Sequence, residues 1–398
     1  MLLFNVCIFA WVYTLVASEC SKYLIPSAMP GAGRGIVAGV SFEVGVEIES
    51  NPTLAIPKEL TRQTQLTHYV YGTGDFRYDM LMIGAGSIYN HFDPRTVYYT
   101  WRNEVISDPA LSLLPFTDFT PIAFHSVREI TQGEEMLNFY GETWFDRFDM
   151  LHTLETNRQS AMLPTHRYTY EDLKEFGHCL SDTYVSESHM RKVRKGLIAG
   201  RNFAVGQIVA ISPVLVLSKR LIETHDEESV FKNYCITVSE SNVALMPLST
   251  AAMINHKAPS MANVKLEWYD WSPAVEALSA KYPAIARAQA NNTLLRLSEK
   301  LQMSSEALSS APFAPFDVAY RATRSIAAGE EILLDYGPAW EAKWKQYITR
   351  MEAWKVKSKS NTQDQEFPLF RQYIQAPDGM FSPLWVDADF PQCRFDEG

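Results

Sequence analysis

The feature that most constrains this chain is a twelve-residue segment that occurs twice. Residues 130–141 read ITQGEEMLNFYG, and residues 326–337 read IAAGEEILLDYG. When each segment is extended to the next tryptophan, 8 of 15 aligned positions are identical. Internal similarity of this kind indicates a duplicated structural unit. The chain is therefore predicted to contain two related modules, and each copy of the repeated stretch is called its Gly-Glu-Glu segment.

The similarity extends backward to a glycine-rich stretch, called the head of each copy (residues 27–39 in the first copy and 188–200 in the second). Residues 35–60 and 196–221 are identical at 10 of 26 positions, at an offset of 161. An Asn-His pair follows each head, and the second pair lies 165 residues after the first. The Gly-Glu-Glu segments are 196 residues apart, so about 31 residues enter the second copy between its Asn-His pair and its Gly-Glu-Glu segment.

The inserted residues differ in character from the rest of the chain. Residues 271–312 are rich in Ala, Leu, Glu and Lys, which are good helix formers. Elsewhere, residues 97–101 and 264–268 are rich in β-branched and aromatic side chains and predict matched strands. Residues 44–56 and 205–217 each predict a strand, a proline-containing corner and a second strand. The fold class is predicted to be mainly β with α insertions, an α+β fold.

The N-terminus is typical of an export signal. Residues 2–18 are apolar apart from Asn5 and Thr14 and end in small residues before Glu19, although no basic residue precedes the run. This pattern predicts a signal peptide cleaved after Ser18, and hence a protein of the secretory pathway or a secreted one. A buried strand, an uncleaved signal anchor that leaves the chain at the membrane, and a cytoplasmic protein with an apolar N-terminus are the alternatives.

Four cysteines follow the predicted signal: Cys20, Cys179, Cys235 and Cys393. In an exported chain they permit two disulfides in three connectivities, and four buried thiols are the alternative. Cys20 and Cys179 lie 15 and 17 residues before the first glycine that the heads share. We therefore expect them in equivalent places, with at least one in a disulfide. No CxxC motif or Cys/His cluster occurs, so no metal site is predicted.

The net charge of −10 disfavours nucleic-acid binding and is compatible with basic peptide partners. The one glycosylation sequon, at Asn291, falls in the insert, where an exposed position is expected. With 46% hydrophobic residues among 398, the chain can form two cores. The predicted parts are a signal peptide (1–18), a first module (19–150), a linker (151–178), a second module (179–350) with a helical insert (about 271–312), and a C-terminal aromatic segment (351–398).

A glycine-rich head, an Asn-His pair and a Gly-Glu-Glu segment ending in Tyr-Gly resemble, in this order, the SET-domain family of protein-lysine methyltransferases. Both copies have this order, and the resemblance covers roughly residues 29–347. It implies two tandem SET-like β modules, each closed by a pseudoknot in which the Gly-Glu-Glu segment threads under the Asn-His pair. It also implies S-adenosylmethionine as cofactor and a protein or peptide substrate that presents a lysine.

The resemblance also assigns candidate site residues. Tyr140 and Tyr336 match the family's catalytic tyrosine, whose oxygen would orient a neutral lysine amine for in-line displacement from a sulfonium. A tight apolar channel would favour the uncharged amine. The cofactor-binding candidates are the head glycines and the two Asn-His pairs: Gly33, Gly35, Asn90, His91, Gly196, Asn255 and His256.

Both copies depart from the family pattern. In the first, Phe92 follows the Asn-His pair where the family has Ser, and Phe139 replaces the Asp of the Gly-Glu-Glu segment. In the second, Lys257 takes the Ser place and Arg194 replaces the first head glycine, while Asn263 recovers a later Asn. No cysteine-rich zinc cap flanks either copy, so a lysine channel would have to be closed by aromatic segments.

Two functions follow from these patterns. The first is methyl transfer from S-adenosylmethionine to a protein lysine, with Tyr336 favoured over Tyr140 because the second copy keeps the complete Gly-Glu-Glu segment. The second is an exported, non-catalytic SET-fold protein that acts as a binding or structural module. The predicted signal peptide favours the second function, and the presence of both tyrosines favours the first.

Overall fold

The computed structural model of the chain describes residues 19–72, 77–101, 121–141, 166–190, 195–224, 230–237, 241–290, 297–304, 307–308, 314–358, 372–382 and 385. The predicted signal peptide, Arg194, the sequon at Asn291 and Cys393 lie outside these residues. Within them the fold is mainly β with several helices, as the sequence predicts.

The strands of the described residues are short, with one exception near the middle of the chain. In chain order they are β1 (Lys22–Pro26), β2 (Arg34–Ala38), β3 (Glu47–Asn51), β4 (Thr53–Pro57), β5 (Val70–Gly72), β6 (Tyr78–Met82), β7 (Asn90–His91), β8 (Val97–Trp101), β9 (Ile122–Ser126), β10 (Leu137–Asn138), β11 (His178–Cys179), β12 (Thr183–Glu187), β13 (Lys195–Ala199), β14 (Ile208–Ser218), β15 (Ile236–Thr237), β16 (Val243–Pro247), β17 (Asn255–His256), β18 (Val264–Tyr269), β19 (Phe316–Ala322), β20 (Leu333–Leu334) and β21 (Ile374–Gln375).

The helices lie between and after the strands. They are α1 (Lys58–Arg62), α2 (Tyr170–Phe176), α3 (Lys219–Thr224), α4 (Ser272–Lys281), α5 (Pro283–Gln289), α6 (Leu297–Lys300) and α7 (Pro338–Ser358). Helices α4, α5 and α6 confirm the helical insert in the part of residues 271–312 that the structure describes. Helix α2 lies inside the predicted linker, and α7 continues past its predicted domain boundary at residue 350. None of the described helices is long and apolar enough to span a membrane.

The strands form one large sheet and five small ones. The large sheet has the order β17-β20-β18-β19-β14-β16-β15-β21. The small sheets are β11-β1-β2, β12-β13, β3-β9-β8, β4-β6-β5 and β10-β7. The antiparallel hairpins β1-β2 and β12-β13 have the same register at an offset of 161, which is the offset of the sequence repeat.

The predicted corner between two strands forms in the first copy but not in the second. In the first copy, Pro52 separates β3, which pairs with β9, from β4, which pairs with β6. In the second copy the same pairings are made by the single strand β14, which pairs with β19 up to Val214 and with β16 from Val214 onward. Pro213, which has no N–H to donate, lies at this change of partner. The prediction of two separate strands in residues 205–217 is therefore wrong.

The two copies share a hydrophobic core. Leu54, Ile56 and Phe124 from the first copy belong to one buried cluster with Ile211 and Leu215 of β14. A second cluster joins the second copy to the C-terminal segment and includes Trp385, which is fully buried. Burial of apolar surface on both faces of β14 makes this strand the structural centre of the chain.

A buried ion pair also joins the copies. Arg34, in β2, donates from Nη2 to Oδ2 of Asp317, in β19, over 2.5 Å, and from Nη1 to the carbonyl oxygen of Ala314 over 3.0 Å. Both charged side chains are almost fully buried. A buried charge is tolerated when it is paired and hydrogen-bonded, so each of these residues depends on the other.

Cys20 and Cys179 are joined to each other by a disulfide. This confirms that at least one of them forms a disulfide and selects one of the open pairings. Their predicted equivalence is wrong, because the common register of the two hairpins makes Ser181 the counterpart of Cys20. Cys235 is buried, and its Sγ donates to the carbonyl oxygen of Phe231.

Replacing both bridged cysteines (Cys20→Ser with Cys179→Ser) is expected to lower the free energy of unfolding by about 3–5 kcal/mol. The bond joins residues 159 positions apart and so restricts the unfolded chain. Urea unfolding of the oxidised wild type and the double variant measures the difference. Wild type treated with a reductant should match the variant, and an oxidised wild type no more stable than the variant would contradict the prediction.

His178, next to the disulfide, should make stability depend on pH. Its Nε2 accepts a hydrogen bond from the N–H of Ile211 over 3.2 Å, and burial, with a smaller effect of the Arg201 cation, lowers the pKa of His178 to about 4. The unfolded chain takes up a proton below about pH 6.5 whereas the folded chain does not until about pH 4. The stability is therefore complete above pH 6.5 and is lost as the pH falls from 6.5 to 4.

Between pH 7.5 and pH 5, the wild type is expected to lose about 1–2 kcal/mol more of its free energy of unfolding than His178→Gln. Urea unfolding at the two pH values measures both losses. The comparison removes the contributions of other titrating groups, which the two proteins share. Equal losses in the two proteins would contradict the assignment of this pH dependence to His178.

Candidate functional site

Each Gly-Glu-Glu segment lies between the head and the Asn-His pair of its own copy. On one side, β10 pairs in parallel with β7, and β20 pairs in parallel with β17. On the other side, the N–H of Met136 donates to the oxygen of Ile36, and the N–H of Ile332 donates to the oxygen of Leu197, each over 2.8 Å. The structure thus brings together the three motifs that the sequence analysis selected, in both copies.

A buried carboxylate holds the three motifs together in the first copy. Ser27 Oγ donates to the two oxygens of Glu135 over 2.9 and 2.8 Å. Asn90 Nδ2 donates to Glu135 Oε1 over 2.7 Å and to the carbonyl oxygen of Arg34 over 2.9 Å. Glu135 is buried, so these donors replace the water that an ionised carboxylate requires. The three side chains are called the Ser-Glu-Asn cluster.

The second copy has an equivalent Ser-Glu-Asn cluster, formed by Ser188, Glu331 and Asn255. Ser188 Oγ donates to Glu331 Oε1 over 2.8 Å, and the N–H of His189 donates to Oε2 over 2.8 Å. Asn255 Nδ2 donates to Glu331 Oε1 over 2.9 Å and to the oxygen of Lys195 over 2.8 Å. The amide nitrogens of Asn90 and Asn255, predicted to bind a cofactor, therefore bind the protein's own head and carboxylate.

The same carboxylates explain two of the head glycines. A β-carbon at Gly35 would lie 2.2 Å from Glu135 Oε1, and one at Gly196 would lie 2.4 Å from Glu331 Oε1. The close approach for which glycine is needed is thus made by the protein's own side chain. Gly33 has a positive φ of 69°, which glycine adopts without strain. Cofactor binding by these three glycines stays a prediction.

The histidines of the Asn-His pairs hold the tyrosines by their backbone. His91 Nδ1 accepts the N–H of Tyr140 over 2.9 Å, and His256 Nδ1 accepts the N–H of Tyr336 over 3.0 Å. A nitrogen that accepts a hydrogen bond carries no proton. Burial lowers the pKa of His256, although Asp335 opposes this from 4.0 Å. His256 is therefore neutral near pH 7 and positions the tyrosine segment.

The two tyrosine hydroxyls make equivalent hydrogen bonds. Tyr140 Oη donates to the oxygen of Tyr89, and Tyr336 Oη donates to the oxygen of Ile254. Each acceptor immediately precedes an Asn-His pair. Tyr336 is buried, which raises the pKa of its hydroxyl, whereas Tyr140 is half-buried. The Tyr336 hydroxyl stays protonated with its hydrogen committed to a carbonyl, and its oxygen can still accept a hydrogen bond.

The two heads differ in what covers them. The amide of Gln289, at the end of α5 in the insert, donates to the carbonyl oxygens of Ser27 and Gly33 over 2.9 and 2.8 Å. Residues 31–35 are buried, whereas His189 and Lys195 in the second head are exposed. Gln289 thus occupies two carbonyl oxygens of the first head, on the side where a cofactor would have to approach. In the second head the described residues next to Asn255 and His256 include exposed ones, and residues 191–194 lie outside the described part of the chain.

Aromatic side chains line the second site. Trp340 lies 4.6 Å from His256 and 5.0 Å from Tyr336, measured between ring centroids. Trp344, one turn later in α7, stacks on Trp340 at 5.5 Å. Both rings therefore lie next to His256 and Tyr336, where aromatic side chains can form the wall of a binding slot. Their counterpart Trp144 lies outside the described residues.

Asn263 of the second copy and Thr96 of the first hold the Gly-Glu-Glu segments in place. Asn263 is buried, and its side chain donates to the oxygen of Glu331 over 2.8 Å and accepts the N–H of Leu333 over 2.7 Å. In the first copy, Thr96 Oγ1 accepts the N–H of Leu137 over 2.7 Å. Both residues anchor the Gly-Glu-Glu segment from the same side.

No three His, Cys, Asp or Glu side chains in the part of the chain that the structure describes are grouped to hold a metal.

Sequence reasoning missed the two serines of the clusters and Gln289. Ser27 and Ser188 lie at the repeat offset of 161, so extending the alignment of the heads by eight residues would have found them. No sequence pattern pointed to a role for Gln289, because the insert has no counterpart in the first copy with which it could be compared. Its acceptor Ser27 is 262 positions away.

Comparisons with known proteins find similar structures only. No protein-family model matches the chain, and no curated protein matches it. A crystal structure of a Plasmodium falciparum protein named as a histone methyltransferase has 21% identity and a TM-score of 0.24, covering 32% of this chain and 97% of that one. A humanized Chaetomium thermophilum Polycomb Repressive Complex 2 has 15% identity and a TM-score of 0.24, covering 31% of this chain and 15% of that one.

A second Polycomb Repressive Complex 2, in an autoinhibited conformation with S-adenosylmethionine bound, has 14% identity and a TM-score of 0.25. The match covers 39% of this chain and 15% of that one. The chain thus spans only a small part of the Polycomb chains that it matches.

Gly196→Ala is expected to lower the free energy of unfolding by about 2–3 kcal/mol, because the new β-carbon must displace Glu331 and Asn255. Gly72→Ala is the control, since a β-carbon there would meet no atom within 4 Å, and its effect should stay within about 0.5 kcal/mol. Urea unfolding measures both changes. Equal effects of the two substitutions would show that the carboxylate does not require the glycine.

Proposed function

We propose that the chain contains two tandem SET-like modules and that the second is an S-adenosylmethionine-dependent methyltransferase acting on a lysine of a protein or peptide. One observation carries the proposal. Tyr336, His256 and the Ser-Glu-Asn cluster of the second copy are fixed in one hydrogen-bonded arrangement, and the described residues of the second head next to it include exposed ones. The first module, whose head is covered, serves as the structural partner of the second.

The residues that would hold the cofactor lie around the second head. They are the backbone near Gly196 and the pair Asn255 and His256, with the ring of Trp340 beside them. When bound, S-adenosylmethionine supplies a methyl group on a positively charged sulfonium. The Ser-Glu-Asn cluster fixes the spacing between the head and the Asn-His pair before any ligand arrives, which lowers the cost of ordering the site on binding.

Tyr336 would act on the amine rather than on the cofactor. Its hydroxyl hydrogen is committed to the oxygen of Ile254, so a lone pair of its oxygen remains to accept an N–H of a neutral lysine amine. Holding the amine in this way directs the nitrogen lone pair along one line. Apolar surroundings, including the buried rings of Tyr320 and Trp340, disfavour the charged ammonium and so maintain the nucleophile.

The C-terminal segment closes the second module on another side. Strand β21 pairs in parallel with β15, and the N–H of Gln375 donates to the oxygen of Tyr336 over 2.9 Å. Trp268 Nε1 donates to the oxygen of Met380 over 2.6 Å. These contacts support the expectation that aromatic segments, in place of a zinc cap, would enclose a lysine channel.

The proposed location is the secretory pathway. The disulfide between Cys20 and Cys179 is compatible with secretion, because disulfides form and persist in oxidising compartments. The predicted signal peptide supports the same location. The substrate would then be a protein or peptide that meets the enzyme there, and the negative net charge suits a basic one.

A second candidate function is an exported, non-catalytic SET-fold protein that acts as a binding or structural module. Two observations favour it. The first head is covered by the insert, and the Tyr336 hydroxyl is buried and bonded to the protein's own backbone. In this alternative, the hydrogen bonds that the second copy shares with the first only stabilise the fold.

Calorimetric titration of the secreted protein with S-adenosylmethionine separates the two functions. The methyltransferase proposal expects saturable binding and, with radiolabelled cofactor, transfer of label to lysine in a basic protein mixture such as histones. Asn255→Ala should weaken the binding, and Asn90→Ala is its matched control in the first copy. Absence of binding by the wild type would favour the non-catalytic module.

Tyr336→Phe is expected to lower turnover by roughly 10²-fold, the scale of losing one fixed polar contact to a transition state. The ring remains, so folding and cofactor affinity should change little. Tyr140→Phe is the matched control and should keep the wild-type rate. An active wild type with an unchanged rate in Tyr336→Phe would end the catalytic assignment.

A further inference from the structure

The end of helix α5 lies against the first head. Gln289 is buried, and its Nε2 donates one hydrogen to the oxygen of Ser27 and the other to the oxygen of Gly33. The N–H of Gly31 donates in turn to the oxygen of Ala288, over 3.4 Å. An amide nitrogen has two hydrogens, so both donors of Gln289 are used by one loop.

The insert that carries Gln289 is fixed at two further places, to β1 of the first copy and to α2 between the copies. Leu278 and Ile285 pack in one buried cluster with Tyr23 and Ile25 of β1. At the junction of α4 and α5, Lys281 Nζ and Tyr282 Oη donate to Asp172 of α2 over 2.7 and 2.5 Å.

These hydrogen bonds are strong enough to outweigh burial of the carboxylate. Burial raises the pKa of Asp172, but the donors from Lys281, Tyr282 and Thr169 lower it to about 2. The carboxylate is therefore ionised throughout the physiological pH range, and the attachment of the insert does not depend on pH there. Gln289 thus ends a helix that is anchored by buried packing and by these hydrogen bonds.

The chemistry of this contact matches that of a bound ligand. An ammonium group, such as that of the amino-acid end of a cofactor, binds through N–H donors to acceptor oxygens, and Gln289 places two N–H donors on two carbonyl oxygens of the first head. The remaining head side chains Met29 and Ala32 are packed with Leu137. Nothing comparable to Gln289 contacts His189 or Lys195 among the residues that the structure describes.

We propose that Gln289 is a built-in occupant of the first head, and that it leaves the chain with one cofactor site, in the second copy. The occupancy itself rests on the contacts of Gln289. The count of one site rests on the proposed function, and the experiment below separates the two.

The test compares wild type, Gln289→Glu and Gln132→Glu in the full secreted chain. Gln289→Glu keeps the size of the side chain but replaces Nε2, and with it both donor hydrogens, by an oxygen that repels the head carbonyls. Gln132→Glu is the matched control, because Gln132 Nε2 donates to a carbonyl of the same module, that of Gly39, over 2.6 Å. Amide hydrogen exchange of residues 27–35 and calorimetric titration with S-adenosylmethionine are measured on all three proteins.

We expect one S-adenosylmethionine per chain in the wild type. In Gln289→Glu, exchange at Ser27 and Gly31 should become about tenfold faster or more, whereas Gln132→Glu should leave it unchanged. Wild-type exchange rates in Gln289→Glu would overturn the occupancy. Two S-adenosylmethionine molecules per wild-type chain would also overturn it. If no cofactor binds to any of the three proteins, the proposed function fails, while the exchange rates still decide the occupancy.

Discussion

In both copies, the arrangement of the head, the Asn-His pair and the Gly-Glu-Glu segment depends on one carboxylate that is buried away from water. Glu135 and Glu331 each lie in the interior, and an ionised carboxylate there is tolerated only when donors surround it. The head must therefore supply a serine and the Asn-His pair an asparagine, and the head must carry glycine where the carboxylate approaches. Three motifs that are far apart in sequence become one unit because they share this single charged group. The position of the tyrosine follows, since it ends the segment that carries the carboxylate.

On this common frame the two copies differ in what reaches their heads. The insert of the second copy contacts the first head and occupies two of its carbonyl oxygens, whereas His189 and Lys195 of the second head are exposed. The second copy is covered elsewhere by β21 and by α7, whose tryptophans stack beside His256. A repeated sequence therefore does not give two equivalent environments when one copy supplies a side chain that contacts the head of the other. The chain is better described as one asymmetric unit with a shared core than as two independent modules.

The sequence predicted motifs and local elements, and it missed pairings and contacts between distant parts of the chain. Order, offset and composition were enough to predict the three motifs, the helical insert and the matched strands β8 and β18. The pairing of Cys20 with Cys179 could not be derived, because four cysteines allow three connectivities and spacing alone misled the comparison of their positions. The merging of two expected strands into β14 was also hidden, since Pro213 reads the same at a corner as at a change of strand partner. Gln289 was missed because its contacts are distant and have no copy to compare.

The ion pair between Arg34 and Asp317 has a consequence for how the chain is made. Its partners are 283 positions apart. At 5–20 residues per second, the ribosome needs about 15–60 s to add the acidic partner after the basic one. Throughout that interval the guanidinium of Arg34 has no interior in which to be buried, so the hairpin β1-β2 cannot reach its final packing. Strands β1 and β2, the earliest in the described part of the chain, therefore complete their packing only after β19 has been synthesised.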